Sequence, residues 1–200
     1  MRHAQTLLNE LNHFQGQSRD PGLSDSGVAA VEQAARCTAS IEWARIDSSP
    51  LRRAIHTCDI IRSRTTHVPD RSDVIELTER NLGSLDGTCR ECAERHSPGL
   101  LNRLVTDPAY TPPGRGEPLT EVAARARKYL SWVERQPPPL PTLVITHGGV
   151  LSALTYEPAE NLHSAIFQKV GEKVSPLAIN VPAADLAAAL TELSQEKGSK

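Results

Sequence analysis

The chain predicts an α/β fold, a three-layer α/β/α sandwich with a mostly parallel central sheet. Three observations carry this. Helix-period and strand-like segments alternate along the chain. The run Leu143-Val144-Ile145-Thr146 is short and continuously apolar, as expected of a strand covered on both faces. The chemically loaded residues fall just after the predicted strands, where ligands of open α/β sheets bind.

The elements follow in order. The segment 24–40 reads as a helix capped by Ser24 or Ser26, with Val28, Val31 and Ala35 on one face. Residues 43–48 read as a strand. Leu51, Ile55, Cys58 and Ile61 recur at helical spacing and mark a second helix. Residues 74–77 read as a short strand. Residues 117–135 read as a helix with Val122, Ala126, Tyr129 and Val133 inward. Gly148 and Gly149 open a further helix. Residues 176–181 suggest a last strand, and 184–195 a C-terminal helix. Tyr110 to Gly116 and the proline-rich 136–141 read as loops.

Two hundred residues suit one domain, 1–200, which can bury a core without a metal or disulfide staple. The segment 88–118 is expected to roof a pocket as a cap or lid, because loops on a rigid rim set specificity. The part from 157 to 200 is the least patterned. Formal net charge is -2, so no global field calls for nucleic acid or an anionic membrane, and an anion site must be local. The start of the chain lacks an apolar signal segment, and no run of apolar residues is long enough to span a bilayer. A cytoplasmic protein with reduced thiols is the expectation. Of the four cysteines, Cys89 and Cys92 form a lone CxxC without further ligands at zinc spacing, so the pair reads as structural, with a secondary redox reading. A homodimer is left open.

Five segments concentrate polar chemistry. They are Arg2-His3-Ala4-Gln5-Thr6 with Asn9; His13-Phe14-Gln15-Gly16 leading to Asp20; Ser48-Ser49-Pro50-Leu51-Arg52-Arg53 with Thr57; Glu79-Arg80-Asn81-Leu82-Gly83 with Asp86 and Gly87; and Thr146-His147-Gly148-Gly149. Taken singly, each has a bland explanation: a core histidine, a helix-surface arginine, a capping glutamate. In this order they resemble the histidine phosphatase (phosphoglycerate mutase-like) superfamily. That family's pattern opens with Arg-His-Gly-x-Thr-x-x-Asn, continues through Phe-x-Gly, and ends near His-Gly-Gly. The likeness runs from residue 2 to about residue 155, roughly three quarters of the chain.

The resemblance implies a metal-independent phosphomonoesterase of the phosphatase branch, without a cofactor, acting on a small phosphorylated metabolite. It implies His3 as nucleophile, Glu79 as general acid and base, and Arg2, Arg53 and His147 around the phosphoryl group. Thr6, Asn9, Gln15, Gly16 and Gly148 are expected to complete the phosphate site. Physical chemistry agrees. A phosphate dianion needs donors on three oxygens, and arginine's planar fork supplies two in parallel. A neutral imidazole is a competent nucleophile, and neighbouring cations keep it neutral. A carboxyl beside a bound dianion holds its proton and can deliver it to the leaving oxygen. Two other readings stand beside this one: phosphoglycerate mutase-type transfer, and a non-catalytic phosphate-binding relative. The stretch around Glu79 and Arg80 looks mutase-like, whereas the short run from Gly87 to Gly116 fits the phosphatase branch.

The sequence departs from the family pattern in three places. Ala4 stands where glycine is common, which matters only if the backbone there has positive φ. Met1 alone precedes the Arg-His pair that a central strand should deliver, so the first strand reads as truncated, with either a start upstream or a sheet lacking that strand. Residues 155–182 do not follow the family's usual course.

Overall fold

Ser24 opens the first long helix. Its hydroxyl accepts from the Gly27 amide, and α2 runs Asp25–Thr38 behind the one-turn helix α1, Leu7–Glu10. The computed structural model describes residues 1–67, 69–135, 141–170 and 173–198. Strand β1 spans Arg45–Ser48, α3 Arg52–Arg62, α4 Arg90–His96, α5 Leu100–Thr106 and α6 Leu119–Glu134. Strand β2 spans Thr142–Ile145, followed by α7, Gly148–Thr155. The chain closes with β3, His163–Val170, β4, Lys173–Pro182, and α8, Leu186–Gly198. Apart from Pro141, the proline-rich stretch 136–141 lies outside the described residues, as does Gly171.

Strands β1 and β2 pair in parallel, with Ile46 opposite Leu143 and Ser48 opposite Ile145. Residues 70–73 extend the sheet beyond β1 through parallel bridges at Asp70 and Asp73. On the other side Arg2 bridges Thr146 in parallel. The His3 amide donates to the Thr146 carbonyl at 2.9 Å and the Thr146 amide to the Met1 carbonyl at 2.8 Å. The far edge of this stretch is also used: the Arg2 amide donates to the His163 carbonyl at 2.9 Å, and the Leu162 amide to the Arg2 carbonyl at 3.1 Å. Residues 1–3 therefore hold a central position, paired on both edges, although only three residues long.

Successive side chains of a strand point to opposite faces. Ile46 packs with Val31, Ala35, Ala54, Ile61 and Leu186 from α2, α3 and α8. The adjacent Asp47 points the other way, and its Oδ2 accepts from the Tyr129 hydroxyl of α6 at 2.6 Å. Helix α6 also packs on α7 through Val122, Ala126 and Val150. The three layers follow from these two neighbours. A third cluster, Phe14, Leu82, Leu85, Leu100 and Leu104, seats α5 beside the sheet's carboxyl end.

Two expectations are corrected and one open point is resolved. Residues 75–77 form a 3₁₀ turn, and the edge pairing falls at residues 70–73 instead. The Val74 amide still donates to the Ser48 carbonyl at 2.7 Å, and the chain turns into the 3₁₀ helix directly after it. The lone last strand is an antiparallel hairpin, β3 with β4. Its first arm, His163–Val170, was missed because its polar and apolar residues do not alternate cleanly. Residue 4 is an ordinary position: Ala4 has no positive φ, is fully buried, and donates its amide to Thr57 Oγ1 at 3.0 Å.

Candidate active site

Three neighbouring parallel stretches end side by side. Residues 1–3 deliver His3, β1 delivers Ser49, and β2 delivers His147. The rings of His3 and His147 lie 5.1 Å apart at a tilt of 58°.

His3 is set by two bonds. Its Nδ1 lies 2.7 Å from the Ala4 carbonyl, which can only accept, so Nδ1 carries the proton. The lone pair is then on Nε2, 3.2 Å from the Arg53 Nε–H. Burial holds the His3 pKa well below the usual histidine range, and the Arg53 and Arg2 charges push the same way. Sequence reasoning named the cations; the structure adds burial as the larger cause.

Arg53 rises from the first turn of α3, fully buried, and donates once from each of its three guanidinium nitrogens. Besides His3 it donates to Asp20 Oδ1 at 3.1 Å and to the Gly16 carbonyl at 2.9 Å. Burial lowers its pKa, while Glu79 and Asp20 pull it back. A buried guanidinium needs such partners, because an unpaired charge costs several kcal/mol, roughly. His147 is also fully buried and held neutral by burial, with Arg53, His3 and Arg2 adding to the effect. Its Nε2 sits 2.7 Å from Ser49 Oγ.

Arg2 donates through one terminal nitrogen to the Ala159 carbonyl at 2.7 Å. Asn9 and Thr6 both donate to Gln15 Oε1, at 3.4 and 3.0 Å, which turns the Gln15 amide nitrogen outward. Among the described residues, few buried side-chain polar atoms lack a hydrogen-bond partner, and three of them are Arg2 Nε, Gln15 Nε2 and His147 Nδ1. Native interiors rarely leave such nitrogens unpaired, and unpaired ones call for an explanation. All three belong to the predicted phosphate site.

Glu79 faces them across a cavity of about 370 Å³ lined by Arg2, His3, Asn9, Gln15, Glu79, Gly148 and Gly149. Its Oε1 accepts from the Arg80 amide at 2.7 Å and its Oε2 from the Gly149 amide at 3.3 Å. A Cβ on residue 149 would sit 2.3 Å from Glu79 Oε1, so a larger residue there pushes the carboxylate aside. The far wall comes from α5, α6 and α7 and includes Leu101, Leu104, Val105 and Tyr156.

Two expected roles shift. Gly16 offers the site no free amide: that group donates to Asp86 Oδ1 at 2.8 Å, and Gly16 serves Arg53 with its carbonyl. Thr6 caps α1 and orients Gln15 instead of reaching the cavity. Four supporting residues were not singled out from sequence. Asp20 holds Arg53, and Ser49 holds His147. Asn161 donates to the His3 carbonyl at 2.7 Å. Asp86 collects the amides of Gly16, Ser18 and Arg19 and the Ser18 hydroxyl. Burial opposes its charge, but those hydrogen bonds outweigh burial and hold its pKa low. Asp20, Ser49 and Asp86 stand inside or beside the five motifs, so their position was the available signal. Nothing local marked Asn161.

A parallel sheet that ends in two buried neutral histidines, one of them bonded to a buried arginine and opening on a polar cavity, defines a class of α/β proteins with the site at the carboxyl end of the sheet. The particular family follows: residues 1–173 match the histidine phosphatase superfamily (branch 1), and the chain belongs to it. It is similar to fructose-2,6-bisphosphatase TIGAR B of Danio rerio, 29% identical over 78% of this chain and 58% of that one. It therefore spans less than two thirds of that relative's length. It is similar to glucosyl-3-phosphoglycerate phosphatase of Mycobacterium tuberculosis, 32% identical over 78% of this chain and 71% of that one. A solved structure of the mycobacterial glucosyl-3-phosphoglycerate phosphatase complexed with VO3 superposes with TM-score 0.80 at 26% identity, covering 90% of this chain and 96% of that one. The chain also resembles a 2,3-bisphosphoglycerate-dependent phosphoglycerate mutase of Bradyrhizobium diazoefficiens, 33% identical over 77% of this chain and 76% of that one. Among the described residues, no helix is long and apolar enough to cross a membrane.

Proposed function

We propose that the protein is a phosphomonoesterase that hydrolyses a small phosphorylated substrate through a phosphohistidine on His3. The observation that carries this reading is the trio of buried, unpartnered nitrogens around a neutral imidazole: Arg2 Nε, Gln15 Nε2 and His147 Nδ1. A phosphoryl group brings the oxygens these donors lack.

In this reading His3 Nε2 attacks phosphorus in line. Arg2, Arg53, His147, Asn9, Gln15 and the amide of Gly148 hold the equatorial oxygens, with charge stabilisation growing toward the transition state. Glu79 gives its proton to the leaving oxygen. Water then attacks the phosphohistidine and gives its proton to Glu79, and inorganic phosphate departs. Thr6 and Gly16 position Gln15 and Arg53. Segment 88–118 roofs the site: Arg80, rooted beside Glu79, donates to the carbonyls of Leu104, Tyr110 and Glu117 and ties that segment down.

The second reading is a mutase, in which phosphohistidine returns its phosphoryl group to a second substrate hydroxyl. The mutase relative and the residues around Glu79 favour weighing it. One experiment separates the readings. The protein is mixed with a phosphomonoester panel that includes phosphoglycerates, and inorganic phosphate and isomerised product are both measured. An acid-labile phosphoryl-enzyme is trapped in parallel. Phosphate release by the wild type and none by His3→Ala supports the proposal. Isomerisation without phosphate release supports the mutase, and absence of any phosphoryl-enzyme removes both.

A further inference from the structure

Of the four cysteines, Cys58 is fully buried, and burial pushes its thiol up to about 12, which leaves it inert. Cys89 and Cys92 are different. Cys89 is partly exposed and Cys92 exposed. Cys89 Sγ accepts from the Cys92 amide at 3.2 Å. Cys92 Sγ accepts from the Arg95 guanidinium at 3.4 Å. Hydrogen bonds from the Cys92 thiol and amide hold the Cys89 pKa below the usual thiol range. Two residues three apart on a helical turn lie about 5–6 Å from each other, inside the span of a disulfide. Closing the bond takes Cys89 Sγ from the Cys92 amide that it caps and so disturbs the first turn of α4.

The pair also adjoins residues of the cavity wall. The backbone of Cys89 bridges His13. The next residue, Arg90, lays its guanidinium 4.6 Å over the Phe14 ring. His13, Phe14 and Arg90 all line the cavity. Among the charges around Arg90, that of Glu79 acts on it, and its own acts on Arg2.

We infer that Cys89 and Cys92 form a redox-active dithiol, a reversible disulfide site next to the cavity wall that alters substrate binding through Arg90. The oxidant is a low-molecular-weight disulfide. The Cys89 thiolate attacks one sulfur of that disulfide, forms a mixed disulfide and releases one thiol. The Cys92 thiolate then attacks Cys89 Sγ, closes the protein disulfide and releases the second thiol. The protein pair loses two electrons and two protons, and the small disulfide is reduced to two thiols. Closure draws the start of α4 toward Cys92 and shifts the anchor of Arg90 above Phe14. His3, Arg53 and His147 lie on other elements and keep their bonds.

The test uses the full chain and oxidised glutathione. Mass spectrometry after alkylation should find a Cys89–Cys92 cross-link with no retained glutathione, reversed by dithiothreitol. In Cys92→Ser the resolving thiol is gone, and a glutathione adduct should accumulate on Cys89. No cross-link in the wild type, or no adduct on Cys89 in the variant, overturns the dithiol. The coupling to the cavity rests on the phosphatase reading and is measured separately. KM for an aryl phosphate should rise about tenfold on oxidation with kcat little changed, the scale of one lost charged contact. A cross-link with unchanged KM overturns the coupling while leaving both the dithiol and the phosphatase reading in place.

Discussion

The Arg53 guanidinium Nε and the His3 Nε2 face each other at 3.2 Å, both side chains almost wholly buried. Burial keeps the imidazole neutral, and this one cation adds to that effect while it fixes the direction of the lone pair. The arrangement needs the planar fork, because the other two guanidinium nitrogens are committed to Asp20 and the Gly16 carbonyl. Lysine keeps the charge and loses the geometry. Arg53→Lys should fold and lose about 10²–10³ in kcat, as loss of one transition-state donor does. A wild-type rate in this variant would remove Arg53 from the phosphoryl site.

Ser49 tests the role of His147. Its hydroxyl is the neighbour of His147 Nε2, and it accepts from the Leu51 amide at 3.3 Å. A ring steadied at Nε2 presents Nδ1 to the site. Ser49→Ala should cost about 1 kcal/mol of stability and about tenfold in kcat, with the phosphohistidine still trappable. An unchanged rate would mean that the ring is oriented by packing alone.

Much of this site was legible before any coordinates. Two arginines, two histidines and a glutamate stood in motifs in order along the chain, and the structure sets Arg2, His3 and Glu79 on one cavity with Arg53 and His147 packed against His3. What sequence could not reveal was who supports them. Asn161 reaches the His3 carbonyl across 158 residues of chain, a relationship that no local pattern encodes. Gly16 was expected to complete the phosphate site, yet Asp86, seventy residues away, takes its amide. The fold was read well where period and caps agreed, as at Ser24 and α2. It failed at residues 74–77, where a short apolar run turned into a 3₁₀ helix, and at β3, whose partner is another late strand and not the parallel core.

The two buried histidines carry a pH signature. Both are held neutral in the folded protein with pKa well below the ordinary 6.5. In the unfolded chain they take up protons below about 6.5. The unfolded state then binds more protons than the folded one, so stability rises with pH through that region and falls on acidification. The melting temperature should drop as pH goes from about 7 to about 5. His147→Gln, compared with wild type at both pH values, should show a smaller drop. An equal drop would place the acid sensitivity elsewhere.

Metal chemistry can be tested directly. The proposed phosphoryl pole has two guanidinium groups and two imidazoles against a single carboxylate, Glu79. A hard divalent cation prefers several oxygen ligands and is repelled by arginine. Activity should survive exhaustive treatment with a chelator. Loss on chelation, with recovery on Mg²⁺, would require a different mechanism.

The last prediction concerns Glu79 and the glycine that makes room for it. The carboxylate is held by the Arg80 and Gly149 amides, and a methyl group at residue 149 would overlap Glu79 Oε1. If Glu79 protonates the leaving oxygen, its removal matters most where that oxygen is a poor leaving group. An aryl oxide departs with little protonation, whereas an alkoxide does not. Glu79→Gln should therefore slow an alkyl phosphate by about 10²–10⁴ and an aryl phosphate much less. Gly149→Ala should reproduce the same ordering without touching the carboxyl chemically, because it displaces the group by an ångström or so, and a displacement of about 1 Å can cost about a hundredfold. Together the two variants separate the roles. A leaving-group dependence in both supports general acid catalysis that needs this position. Equal losses on alkyl and aryl substrates in both would make Glu79 a residue that organises the cavity and not one that moves a proton.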